Sequence, residues 1–241
     1  MSTQIIWEKL LTLWSNKISN KTTKVWNNTT YEDENITDED ILFWQNFWAS
    51  NKQTEGKAIE IKDINLKFYP ASEVEIQKIE VKLGLTFPPS YRTFLQHVNG
   101  WPIGITENLL PVQYVDLFSK HCPMLFEQLL VDLEDDSLED ILKDFSKKGK
   151  VFSKENYFDY YGEAPPIIPK TYLETSIIIG IGETLGISSG DSISTWYGLN
   201  PQVVSDNGEW EAWCCSEYMD FMRYPSFADM VINAYLIHSQ M

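Results

Sequence analysis

Residues 72–101 read SEVEIQKIEVKLGLTFPPSYRTFLQHVNGW, and the punctuation in this stretch decides the fold. Ser72 with Glu75 three residues later forms a capping box, because each side chain can satisfy the other's free backbone N–H. Ile76, Ile79 and Leu83 recur at helical spacing and mark a buried face. Gly84 stands where a helix C′ glycine belongs. Phe87-Pro88-Pro89 forbids continuation, since proline lacks an N–H and restricts the residue before it. Pro89 can open a second helix, with Tyr91, Phe94, Leu95 and Val98 inward. Asn99-Gly100 ends it. The stretch reads as helix, corner, helix. A proline-rich ligand would instead be extended and exposed.

Working outward, residues 3–14 (TQIIWEKLLTLW) place Ile6, Leu10, Leu13 and Trp14 at helical spacing. Residues 19–35 lack periodicity and read as a loop. Thr37 with Asp40 caps a second helix, TDEDILFWQNFWAS, with Ile41, Trp44 and Trp48 as its stripe. Residues 57–68 alternate in two short runs and predict strands. Residues 110–118 (LPVQYVDLF) read as a further strand. The acidic segment 132–147 contains a helix capped by Ser137 and Asp140, and 151–170 reads as a long loop. Then TSIIIGIGE, SISTWYGL and EWEAWCCS predict three strands of an antiparallel meander. Ser226 and Asp229 cap a closing helix with Phe227, Met230, Val231, Ala234 and Ile237 inward. Helices, then strands, then a closing helix argue for an α+β fold, an antiparallel sheet flanked by helices. The expected organisation is an N-terminal helical extension over 1–56 and an α+β domain over 57–241, with an acidic, aromatic insertion near 121–170.

The chain of 241 residues carries a formal net charge of −16, and this bounds its partners. Nucleic-acid binding needs a cationic surface that displaces counterions, so that class is disfavoured. An anionic membrane surface is disfavoured on the same ground, and no apolar run approaches the roughly 20 residues of a membrane helix. Excess acidity suits a cationic protein partner. Its plainer reading is solubility. Three cysteines, Cys122, Cys214 and Cys215, make no disulfide framework. Met1–Trp14 lacks a basic start and a small-residue cleavage site, so a reducing cytoplasm is the expected placement.

Three motifs could suggest chemistry. Gly180-Ile-Gly182-Glu-Thr-Leu-Gly186 follows an apolar strand, but its spacing is one residue too long for a dinucleotide loop and no helix follows to receive a pyrophosphate. No cofactor is expected, and the plainer reading is a strand edge with tight turns. Cys214 and Cys215 on one strand face opposite ways and cannot easily share a metal. One inward and one outward thiol is expected. His97, His121 and His238 are scattered, and no nucleophile motif is present. No catalytic residue and no metal site is therefore assigned, and the chain is read as no enzyme.

The stretch 72–101 resembles the signature of the SUKH superfamily of the Smi/Knr type. The shared order is a capped helix, Leu-Gly, an apolar residue, prolines, Tyr, Phe-Leu and Asn-Gly. Here these are Ser72, Glu75, Ile79, Leu83, Gly84, Phe87, Pro88, Pro89, Tyr91, Phe94, Leu95, Asn99 and Gly100. The later strands and the capped C-terminal helix are similar too. The likeness covers roughly 57–120 and 171–240. It implies a non-catalytic binding protein, in bacteria an immunity protein that blocks a cognate toxin domain, often a nuclease. The alternative is a regulatory or scaffolding module of the type that controls fungal cell-wall synthesis. The motif residues look like fold determinants, with a sheet-side cleft as the binding surface.

A nuclease is basic where it holds phosphate, so an acidic inhibitor would be captured quickly. Asp132, Glu134, Asp135, Asp136, Glu139 and Asp140 are the candidate contacts, although acidic residues at a helix start are favourable in any case. Trp196 and Trp210 are the aromatic candidates. Trp196 and Tyr197 must face opposite ways, whereas Trp210 and Ala212 share a face. One set is expected in the core and the other in the cleft.

Overall fold

The computed structural model describes residues 7–16, 59–61, 66–102, 107–121, 151–152, 170–183, 193–216 and 221–240. The helix expected from Thr37, the acidic helix near 137, and the loop after Phe152 lie outside these residues. In chain order the described elements are α1 (residues 7–16), β1 (Ile59–Ile61), β2 (Leu66–Phe68), α2 (Glu73–Leu83), α3 (Pro89–Leu95), β3 (Trp101–Pro102) and β4 (Glu107–Leu109). A 3-10 turn (Val112–Tyr114), β5 (Asp116–Leu117), α4 (Phe118–His121), β6 (Val151–Phe152) and α5 (Lys170–Thr175) follow. The chain then forms β7 (Ile177–Glu183), β8 (Ile193–Ser205), β9 (Trp210–Ser216), β10 (Phe221–Tyr224) and α6 (Phe227–Gln240).

The predicted punctuation has direct physical counterparts. Ser72 caps α2 with both halves of the capping box formed. Gly84 is left-handed at φ 68°, the Leu85 N–H reaches the Glu80 carbonyl at 3.0 Å and the Gly84 N–H reaches Val81 at 3.2 Å. This is the paired closure of a Schellman motif. Pro88 is extended and Pro89 is the first residue of α3. Asn99 does more than end a helix. Its Oδ1 accepts from the Val112 N–H at 2.7 Å, and its own N–H donates to the Tyr69 carbonyl at 2.7 Å. Asn99 thereby ties the helical corner to the 3-10 turn. Residues 110–118 are for that reason not one strand: Pro111 has no N–H to give a ladder, and Val112 spends its own on Asn99. Asp116 and Leu117 take up strand pairing with β7, and the Leu110 N–H donates to the Ile179 carbonyl at 2.7 Å.

β1 and β2 form a separate antiparallel pair. The main sheet has eight strands, in the order β10-β9-β8-β7-β4-β3, with β5 joining β7 and β6 joining β8. Its pairings are antiparallel except β6 with β8. The fold is α+β, as expected. Gly180 and Gly182 lie inside β7, a central strand and not an edge.

The core fills the space between one face of this sheet and α1, α2, α3 and α6. It contains Ile177, Ile179, Tyr197, Leu199, Trp210, Ala212 and Cys214 from the strands. Against them pack Ile76, Ile79, Tyr91, Phe94, Leu95, Phe227, Met230 and Val231. The buried stripe of α1 is Trp7, Leu11 and Trp14, while Leu13 is exposed. The expected stripe was Ile6, Leu10, Leu13 and Trp14: Trp14 is buried and Leu10 packs partly buried against the core, Leu13 is exposed, and Ile6 lies outside the described residues. The centre of the buried face lies on Trp7, Leu11 and Trp14, where the two tryptophans bury the most area.

Candidate partner-binding surface

The α2–α3 corner is locked from the far side of the sequence. The N-cap of α3, Pro88, has no side chain that can accept a hydrogen bond. Glu209, in the turn between β8 and β9, does this instead. Its two carboxylate oxygens accept from the Ser90 N–H at 2.9 Å and the Ser90 hydroxyl at 2.6 Å. A carboxylate at a helix start also meets the positive end of the helix dipole.

Two cations on this side are paired with carboxylates. Arg92 pairs with Glu73 and with Glu80, the latter at 2.8 Å. Lys82 pairs with Asp116 at 2.7 Å. The Gln77 amide, helped by Gln96 and Arg92, holds the Glu73 carboxyl below its ordinary range despite slight desolvation. Burial pushes Asp116 upward, but Lys82 and the Leu117 N–H outweigh it and hold that carboxyl low. Arg92 and Lys82 are thereby less available to an anionic ligand.

The opposite face of the sheet carries a second cluster. Phe118 stacks on Trp196 at 4.7 Å, and Trp196 meets Trp213 edge-on at 6.1 Å. Gly198 makes room for this: a Cβ there would lie 3.0 Å from the Trp196 ring. Beside it sits a buried polar group. The Glu211 carboxylate, with no exposure, accepts from Arg223 Nε at 2.7 Å and from Asn200 Nδ2 at 2.9 Å. Removing one member of such a trio strands the other charge. Sequence reading missed Glu211 and Arg223. The available signal was a charged residue within each of two otherwise apolar segments, WEAWCCS and FMRY.

Trp196 and Trp210 fall on opposite faces of the sheet, as strand alternation requires. Trp196 joins Phe118 and Trp213, and Trp210 enters the main core with Ala212. Both are buried, at 2% and 7% exposure, so neither offers its ring to a partner in this conformation. Cys214 and Cys215 are also both buried, where one outward thiol was expected. Strand alternation still separates them; the outward face is simply covered as well. The six acidic candidates, Asp132 to Asp140, lie outside the described residues.

Nothing at this surface assembles a reaction centre among the described residues. No group of three or more His, Cys, Asp or Glu side chains could hold a metal there. His97 faces its own helix, with Nδ1 2.7 Å from the Thr93 carbonyl. Burial pushes His121 below the ordinary imidazole value, opposed by Asp116. No described helix is long and apolar enough to cross a membrane.

The sequence profile of the SMI1/KNR4 family (SUKH-1) matches residues 70–232. The match begins just before the Ser72 capping box and ends within α6. The chain belongs to the SMI1/KNR4 family. Comparison with curated proteins gives no match. For a SMI1/KNR4 member, the α2–Pro-Pro–α3 corner and the sheet behind it are the shared fold, and the family-level role is that of a protein-binding domain, generally without catalysis. The residues before 70 fall outside the match.

Proposed function

We propose that this SMI1/KNR4 member is a non-catalytic immunity protein that neutralises a cationic toxin domain by stoichiometric binding in the cytoplasm. One observation carries the reading: the chain has a net charge of −16, and the described Lys82 and Arg92 are already paired to carboxylates. A surface with that balance attracts a basic protein and repels nucleic acid. Asp132, Glu134, Asp135, Asp136, Glu139 and Asp140 are the proposed contacts.

The test is a pull-down with the protein encoded beside this chain, followed by co-expression in cells. Binding together with protection from that protein supports immunity. Binding without protection favours a regulatory or scaffolding module. Absence of both counts against the reading.

A further inference from the structure

The helix α1 lies outside the family match, yet its apolar face is fully enclosed. Trp7 is 2%, Leu11 0% and Trp14 2% exposed. Trp7 inserts between Phe94 of α3 and Phe227 of α6, at ring distances of 5.3 and 5.7 Å. Phe94 and Phe227 also touch each other at 5.1 Å, and Tyr91 closes on Phe227 at 4.9 Å. Seven residues further on, Trp14 meets Tyr235 edge-on at 5.7 Å. Trp7 to Trp14 spans about 10 Å of helix and Phe227 to Tyr235 about 12 Å, so α1 runs along α6 in the same direction. The geometry is that of an amphipathic helix laid in an aromatic groove, with anchors at i, i+4 and i+7.

We propose that the groove between α3 and α6 is a helix-recognition site, and that α1 occupies it as a separable internal ligand. Three observations support separability. The family match starts at residue 70, so the shared domain is defined without α1. Residues 17–58 stand between α1 and β1 in the sequence. A helix of this length is marginal on its own in water, so its helicity depends on docking. The ligand class is a short helix presenting Trp, Leu and Trp on one face. Covalent attachment makes docking of the internal helix intramolecular, so it competes with a free peptide of equal intrinsic affinity.

The test uses the full chain. A dye-labelled peptide of residues 3–18 is titrated into the wild type and into a Trp7→Ala/Trp14→Ala variant. The peptide is expected to bind the variant about tenfold or more tightly than the wild type, because the internal competitor has lost its anchors. It should also raise the variant's Tm and leave the wild-type Tm unchanged. A peptide with both tryptophans replaced by alanine should do neither. A folded variant that ignores the peptide, or a wild type that binds it equally well, overturns the proposal. If the double variant does not fold, Leu11→Ala takes its place; its Tm should rise with peptide, and no rise overturns the proposal. Sedimentation adds a last outcome: a wild-type dimer that Trp7→Ala converts to monomer would put a second copy's helix in the groove and overturn the assignment to the same chain.

Discussion

Tyr91 is fully enclosed, its ring 5.2 Å from Phe87 and 4.9 Å from Phe227. Its hydroxyl is buried with no hydrogen-bond partner among the described residues, and burial pushes the phenol far above its ordinary range. The ring therefore stabilises the corner while the hydroxyl costs. Tyr91→Ala should lower stability by about 3–5 kcal/mol, the usual loss for a large core aromatic. Tyr91→Phe should be neutral or gain up to about 1 kcal/mol, since it removes an unmet polar atom. Urea denaturation separates the two, and equal losses would mean that the hydroxyl has a partner. His121 gives a pH prediction. Its folded pKa is depressed below 6.5 by burial, so the unfolded chain takes up protons first. Its contribution is complete above the unfolded value and is lost as pH falls toward the folded one. His121→Gln should flatten the wild type's stability loss across that window, measured by thermal melts at stepped pH.

At the scale of elements, α3 depends on a residue 119 positions away: Ser90 and Glu209 form a cap across the fold. Ser90→Ala and Glu209→Ala should each cost about 1–2 kcal/mol. The double variant should cost less than their sum, with a coupling on the order of 1 kcal/mol. Additive losses would refute the clip. Gly84 has open space around it but sits at φ 68°, so Gly84→Val pays for backbone conformation alone. Its cost should be about 1–2 kcal/mol or more, read from the same denaturation curves. The helix–proline–helix corner was legible in residues 72–101 because capping, C′ glycine and proline rules are local. The Ser90–Glu209 cap was not, because its two halves meet only after the sheet forms. The same holds for β10 and for the parallel pairing of β6. These are short segments whose strand character comes from a neighbour. Residues 110–118 were misread because alternation cannot reveal that Asn99 takes the Val112 N–H.

At the scale of the molecule, both faces of the sheet's centre, residues 196–200 and 210–215, are buried, and this reorders what can serve as a binding surface. A sequence with Trp196, Trp210, Cys214 and Cys215 on adjacent strands invites the idea of one wet face. Instead, Trp196 lies under Phe118 and Trp210 joins the main core. Among the described residues, the large aromatics fill two packed layers and the contact of α1 with α3 and α6. Net charge was legible from composition, since counting needs no structure. Which carboxylates face a partner was not, since that depends on where residues 132–140 fold. The proposed acidic contacts make a kinetic prediction. Lysine replacement of Asp132, Glu134, Asp135, Asp136, Glu139 and Asp140 should slow association with a basic partner by about tenfold or more, because steering rather than packing is lost. Stopped-flow association rates check it, and unchanged kinetics would remove these residues from the interface.

Calorimetric titration of the intact chain with the basic protein encoded beside it, at two ionic strengths, tests the central claim most directly. Recognition of a cationic toxin predicts a saturable one-to-one complex that weakens as salt rises and silences the toxin in proportion to occupancy. A titration without binding, or a complex that leaves the toxin fully active, would contradict it.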